Sequence, residues 1–520
     1  VLSNTSPRVL IVLLLIGIVS GCHAENTSIS APQSLATSVG EFGAKGDGKT
    51  IDSPAINQAI EKVSTSGGGM IYFPRGIYKC YSIHLKSNVA LYLNAGATIL
   101  AAENPLDPAA AGYDAPEPNG SDPYEDFGHS HWHNSLIWGE NLENVSILGP
   151  GKIDGSGLTN GPNPRAKKGE KAQPVAPPAT NRATTRFGYP GGDTLPTGIG
   201  NKAIALKNCR NVTFKDFTMY RGGHFAILCT GVDNWTMDNI KIDTNRDGVD
   251  LDCCRNVHMS NCTVNSPGDD GICLKSSFAL GEARATQNVT ITNCQVSGWE
   301  CGSLLDGTYR KGNGPGTGRI KFGTESNGGF KNITISNCVF NYCCGLALET
   351  VDGGFLEDVT ISNISMRDIA NSPIFMRLGA RLRGPEGTQP GALRRVTISN
   401  IECWNASGSL PSIISGIPGH DIEDVRISDI RVHTKGGGTK EQATTKPAEN
   451  ESRYPEPSMF GQVPAYGFYI RHVKGIELSG VKLSYEKPDL RPAVVLEDVK
   501  EFDATRVKAQ HEADVAEIVK

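Results

Sequence analysis

From Val145 onward one spacing pattern recurs along the chain, and it admits very few folds. Nine segments align on Val212, Trp235, Val257, Val289, Ile333, Val359, Val396, Val425 and Ile476, and positions two, five and seven after each anchor are apolar. A spacing of two within each pair is strand alternation, and the odd step between the pairs marks a bend. At that bend, four after the anchor, stand Asp216, Asn239, Asn261, Asn293, Asn337, Asn363, Asn400, Asp429 and Gly480. These residue types tolerate left-handed backbone geometry. Stacked coil on coil, their side chains are expected to hydrogen-bond as a ladder. No helical periodicity produces this register. The expected fold is all-β, a single-stranded parallel β-helix of roughly ten coils, with strands about 4.8 Å apart along its axis. Cys262, Cys294 and Cys338 fall in the same inward column as Ile364, Ile401 and Ile430, so they read as buried thiols.

Composition agrees with a turn-rich chain: 60 Gly and 30 Pro in 520 residues. A net charge of -5 offers no basic field for nucleic acid, and none is expected as a partner. Arg8 precedes the apolar run Val9 to Val19, which is too short to span a bilayer. The run ends in Val19-Ser20-Gly21-Cys22, which resembles a bacterial lipobox. The reading is a signal peptide over 1–22, a polar tether over 23–38 and one catalytic domain over 39–520. Export follows, either as a periplasmic or cell-surface lipoprotein with Cys22 as the acylated residue, or by plain secretion. With Cys22 acylated, an odd number of the 14 Cys remains, so they cannot all pair. No CxxC pair has zinc-finger spacing, and the adjacent pairs Cys253-Cys254 and Cys343-Cys344 make poor metal frameworks, so no metal and no cofactor is expected. The chain is expected to be a monomer.

Coil lengths vary, and the excess must loop out. Long loops are placed at about 155–200, which carries Arg165, Lys167, Lys168 and Lys171, and at about 304–327 and 435–464. Loops of this kind on a solenoid tend to wall a groove.

Three acids stand out against this register. Asp247 lies in Asn245-Arg246-Asp247-Gly248-Val249-Asp250, and Asp269 and Asp270 lie in Gly268-Asp269-Asp270-Gly271-Ile272-Cys273-Leu274-Lys275. Clustered carboxylates repel and raise one another's pKa, which a fold gains nothing from on its surface. A site that both donates and accepts a proton does gain from it. His224, Asp247 and Asp269 each lie twelve residues after an anchor, so they are expected to stack on one column in consecutive coils.

The opening of the folded part reads Phe42-Gly43-Ala44-Lys45-Gly46-Asp47-Gly48, then an amphipathic helix over Ser53 to Ser64, then Gly67-Gly68-Gly69 and a strand. This order resembles the opening segment (about 39–100) of pectin-degrading right-handed β-helix proteins, in which a short helix caps the open end. The Asp247 and Asp269-Asp270 motifs, with Gly149-Pro150-Gly151-Lys152-Ile153-Asp154-Gly155, resemble those of polygalacturonase-like glycoside hydrolases, family 28. The resemblance implies a right-handed solenoid and hydrolysis of an acidic polysaccharide, pectin by default. It implies Asp269 as general acid, and Asp247 and Asp270 as the pair that positions and deprotonates water, with inversion at the anomeric carbon. Neighbouring coils at about 4.8 Å sit closer than the 6.5–9.5 Å carboxyl separation usual in inverting enzymes. Inversion is therefore an implication of the family and not of the spacing.

Asn245, His224, Lys275 and Arg377 are the candidate substrate-binding residues. The family's Gly-His-Gly is expected near Glu300-Cys301-Gly302, where no His stands. Gly316-Thr317-Gly318 carries Thr in its place, and His224 is the candidate to take over part of its role. The family's Arg-x-Lys is assigned to Arg377-Leu378-Gly379, with Arg381 or Arg383 supplying the missing charge. The literal Arg319-Ile320-Lys321 is read as unrelated because it falls short of that coil. Two other classes stay open: a lyase or epimerase on the same solenoid, using Ca²⁺ or a basic side chain, and a non-catalytic carbohydrate-binding solenoid.

Overall fold

A computed structural model describes residues 36–105, 107, 110–126, 128–161 and 195–520. The expected leader, Cys22 and most of the tether lie outside the described residues, as do 162–194 with the basic cluster of the largest loop. Thr37–Lys520 is one compact unit. Ser38, expected in the tether, caps the first turn of that unit: its hydroxyl accepts from the Gly40 N–H, and Glu41 reaches back to its backbone N–H.

The unit is a right-handed parallel β-helix. All the ladders between successive coils are parallel, and the ladder that carries the site contains thirteen strands, from Ile83–His84 to Ile518–Val519. The helix Ser53–Thr65 turns Ile56, Ala59, Ile60 and Val63 inward and covers one end of the solenoid. Capping removes an unpaired strand edge there. Among the described residues, no helix is long and apolar enough to cross a membrane.

The anchors pair in register through all nine segments, from Val212 against Trp235 to Val425 against Ile476. All nine bend residues from Asp216 to Gly480 have positive φ, between 51° and 70°. Their side chains form the expected ladder in part, with Asn363 donating to Asn337 at 3.0 Å and Asn400 to Asn363 at 2.7 Å. A second ladder, one residue before each anchor, was not anticipated. It runs Asn88, Asn144, Asn211, Asn234, Asn256, Asn288, Asn332, with donor–acceptor distances of 2.7–3.2 Å. Each Asn bonds the next coil, so the ladders lock register as well as bend. The inward columns are buried, and Cys262, Cys294 and Cys338 are free buried thiols within them.

The site-bearing ladder departs from this pattern on its outer face. Lys202, Asp247, Asp250, Asp252, Lys275, Lys321, Glu349, Arg377 and Arg471 all lie on its strands and are all buried. Charged residues are rarely buried unless paired. Loop residues cover this face: the Tyr454 hydroxyl lies 3.4 Å from Lys321, Glu456 beside it holds Arg319, and Asp126 from an upstream loop holds Arg383.

Asn363 both donates and accepts in its ladder while holding φ at 58°. Asn363→Ala is expected to lower stability by about 1–2 kcal/mol, and Asn363→Gly, which keeps the backbone freedom, by less. Guanidinium midpoints of the two variants check this.

Candidate active site

Asp247 opens the strand Asp247–Asp252, and its register partner in the preceding coil is Phe225 rather than His224. The expected single column is therefore offset. The coil from Val212 to Trp235 is one residue longer than the next, and the extra residue is taken up in the turn where Arg221 and Gly223 have positive φ. The following pairing, Val249 with Ile272, brings Asp270 beside Asp247, and the Gly248 N–H donates to the Asp270 carbonyl at 3.0 Å. A Cβ on Gly248 would come within 2.3 Å of the Gly271 carbonyl, so only glycine allows the two coils to close here. Asp269 sits one residue earlier, in the turn, and its carboxylate accepts from the Asp270 N–H at 3.1 Å.

Carboxylate oxygens of Asp247, Asp269 and Asp270 thus lie within 4.8 Å of one another. They differ in exposure. Asp247 and Asp270 are 4% exposed, whereas the Asp269 side chain is 22% exposed and is the one that reaches solvent.

They also differ in proton affinity. Burial, then repulsion from Asp269 and Asp250, holds Asp247 well above the usual carboxylate range. Burial likewise raises Asp269, although Arg246 at 2.5 Å opposes it. Burial would raise Asp270 too, but Lys321 at 3.4 Å and Arg319 at 2.8 Å outweigh it and hold Asp270 down at about 2. One carboxylate is therefore held ionised at neutral pH, beside two whose proton affinity is raised. General acid–base catalysis needs this division.

Arg319 and Lys321 were the pair read as unrelated, and that reading is overturned. Ile320–Ser326 is the site-ladder strand of its coil, paired to the strand that follows Asp270, and not part of a loop over 304–327. Arg319 also holds Glu456 at 2.6 Å, and Lys321 lies 3.6 Å from Glu349 and 3.4 Å from the Tyr454 hydroxyl. The adjacent Gly318 N–H donates to the Asp269 carbonyl at 2.8 Å, so Gly316-Thr317-Gly318 flanks the acid directly.

Arg377, by contrast, is 1% exposed and spends its guanidinium on Ser415 Oγ, the Gly416 carbonyl and the Glu449 carbonyl, each at 2.9 Å. It ties the 437–452 segment to the solenoid and does not face a groove. Arg381 pairs with Asp352, and Arg383 with Asp126 at 2.5 Å. Lys275 is 5% exposed and sits 3.0 Å from Glu325 and 3.6 Å from Asp250, so it serves as a countercharge beneath the carboxylates instead of contacting substrate.

His224 is 5% exposed, with Nδ1 at 3.3 Å from the Asn160 carbonyl and its ring against Phe225. Burial, and then Arg246, hold it well below the usual imidazole range, so it is neutral. Asn245 lines a cleft of about 520 Å³ with Arg221, Pro267, Glu300 and Gly316.

The residues missed from sequence are those that loops deliver: Asp126, His129, Tyr454 and Glu456. His129 lies within 4.8 Å of Asp247 and Asp250, from a loop more than a hundred positions upstream. No periodic signal marks such positions.

Comparison with known proteins agrees with the geometry. The profile described as "Glycosyl hydrolases family 28" matches residues 191–452. One described as "Rhamnogalacturonase A/epimerase, pectate lyase-like" matches residues 36–273. An exo-poly-alpha-D-galacturonosidase of Dickeya chrysanthemi is 24% identical over 76% of this chain and 66% of that protein, just under two thirds of its length. A probable polygalacturonase of Vitis vinifera is 22% identical over 85% of this chain and 83% of that protein. The family 28 exopolygalacturonase of Yersinia enterocolitica shares the fold, with a TM-score of 0.60, 21% identity, and coverage of 92% of this chain and 78% of that one. The chain belongs to glycosyl hydrolase family 28. It is a glycoside hydrolase built on a right-handed β-helix.

Replacing Arg319 by Met removes a cation that keeps Asp270 ionised. The pKa of Asp270 should rise from about 2, so the acid limb of the kcat/KM profile should move to higher pH by at least one unit. A pH–rate series with wild type and variant reads this directly. An unmoved limb excludes Asp270 as the base.

Proposed function

We propose that the protein hydrolyses α-galacturonan-type pectic chains, working from a chain end. The observation that carries the proposal is the set of three carboxylates within 4.8 Å, one held ionised by Arg319 and Lys321 and one that reaches solvent with its proton affinity raised by burial. Asp269, the carboxyl that reaches solvent, protonates the glycosidic oxygen. Asp247 and Asp270, adjacent across the coil step, hold the attacking water between them, and Asp270 takes its proton. Placed this way, the water need not stand between two distant carboxyls, and the inversion implied by the family is compatible with the short separation. Arg221, exposed in the cleft beside Asn245, and Arg246 supply positive charge for an acidic substrate.

Action from a chain end is supported by the wall that Tyr454 and Glu456 make against Lys321 and Arg319. The Dickeya and Yersinia relatives are described as acting in the exo mode. We also propose export as a lipoprotein, on the strength of Val19-Ser20-Gly21-Cys22. Cys22→Ser should abolish labelling by radioactive palmitate, and unchanged labelling would refute acylation there.

Asp269→Asn should lower reducing-sugar release from polygalacturonate by at least a thousandfold, about 4 kcal/mol of transition-state stabilisation. Wild type should release short products from the outset with little loss of viscosity, and the first-formed anomer, read by proton NMR, should be inverted. Absorbance near 235 nm that disappears with EDTA would instead mark a cation-dependent lyase. Activity that survives Asp269→Asn would remove Asp269 from the acid role.

A further inference from the structure

Beside the three carboxylates, and sharing Asp247 with them, lie two polar side chains that the hydrolytic reading leaves unused, His129 and Asp250. His129, Asp247 and Asp250 have ligand-capable atoms within 4.8 Å of one another. His129 is 5% exposed, and neither of its ring nitrogens has a hydrogen-bond partner. Asp250 is fully buried, and neither of its carboxylate oxygens has one either. Buried polar atoms are nearly always satisfied, and two neighbouring buried side chains with no partner on any polar atom call for one.

The surrounding charges point to a cation. Each nearby basic group lies closer to another carboxylate: Lys275 to Glu325 at 3.0 Å, Arg246 to Asp269 at 2.5 Å, and Arg319 to Asp270 at 2.8 Å. Asp250 is left with Lys275 at 3.6 Å, too long for a hydrogen bond. A buried carboxylate without a close countercharge is unfavourable unless a cation meets it. The loop is also shaped to bring an imidazole here. Gly128, at φ 80°, passes so near Asn201 and Phe225 that a Cβ would come within 3.1 and 3.2 Å of them, and the His129 ring packs edge-on against Phe225 at 4.6 Å.

We propose that His129, Asp247 and Asp250 bind a divalent transition cation of the zinc or manganese kind, and that its binding suppresses hydrolysis. One imidazole with two carboxylates suits such an ion, whereas Ca²⁺ and Mg²⁺ prefer oxygen ligands alone. Ligands about 2.1 Å from a tetrahedral zinc stand roughly 3.4 Å apart, so groups within 4.8 Å of one another need to draw in by at most about 1.4 Å. The ion would occupy oxygens of Asp247 that otherwise hold water and would clamp the 113–134 loop to the ladder. The binding claim stands on its own, and only the suppression rests on the role given to Asp247 above.

Zinc titration by calorimetry, on the full chain, tests the site. Wild type should bind one zinc. His129→Gln and Asp250→Asn should each weaken binding at least tenfold, while Asp269→Asn, which alters only the neighbouring carboxylate cluster, should not. Hydrolysis by wild type should fall with the same midpoint, and the rate of His129→Gln, whatever its size, should not respond to zinc. No binding, or binding indifferent to both His129→Gln and Asp250→Asn, overturns the proposal, as does loss of binding in Asp269→Asn. Should both site variants fail to fold by circular dichroism, the visible spectrum of wild type with Co²⁺ decides. Intense four-coordinate bands support the site, and a weak all-oxygen octahedral spectrum overturns it. Zinc binding as expected in a protein that hydrolyses no glycan would keep the site and reject the hydrolase reading.

Discussion

The register between successive coils is the constraint on which the rest of this structure depends. Parallel strands about 4.8 Å apart place a side chain on one coil against a fixed partner on the next, and the two Asn ladders hold that match at the bends. A one-residue difference in coil length moves a whole column, as it does between Val212 and Trp235. A second one-residue difference, in the turn between Asn265 and Ile272, sets Asp270, not Asp269, beside Asp247 and leaves Asp269 to reach solvent.

Charge is the second organising element. The site-bearing ladder carries a row of buried acids and bases on its outer face, which apolar packing alone could not accommodate. Their pairing assigns the chemistry. Asp270 is ionised because Arg319 and Lys321 face it, while Asp250 and Glu349, more weakly countered, are pushed up to about 8 by burial. The same pairing anchors the covering loop, since Arg319 binds Glu456 and Lys321 meets Tyr454. The covering wall and Asp270, the proposed base, are therefore joined through shared cations.

Much of this was legible in the chain. The bend residues, the inward columns, the buried thiols and the three acids all follow from spacing, because each coil repeats the same local conformation. Arg319 and Lys321 were visible as a motif but rejected, because the long segment between Val289 and Ile333 hid the strand Ile320–Ser326 that holds them. Arg377 was taken for a substrate contact as the Arg of the family's Arg-x-Lys, and Lys275 as part of the Asp269-Asp270 motif, yet both are consumed by internal partners.

The sequence by itself determined the fold class, the coil register and the identity of the acidic cluster, because local backbone preference and alternation repeat in every coil. Only the tertiary structure decided which acid keeps its proton, which cations serve it, and which loop residues complete the site. Those outcomes depend on burial and on charges brought together from segments as distant as His129, Asp247 and Glu456, and no local pattern records how such segments meet.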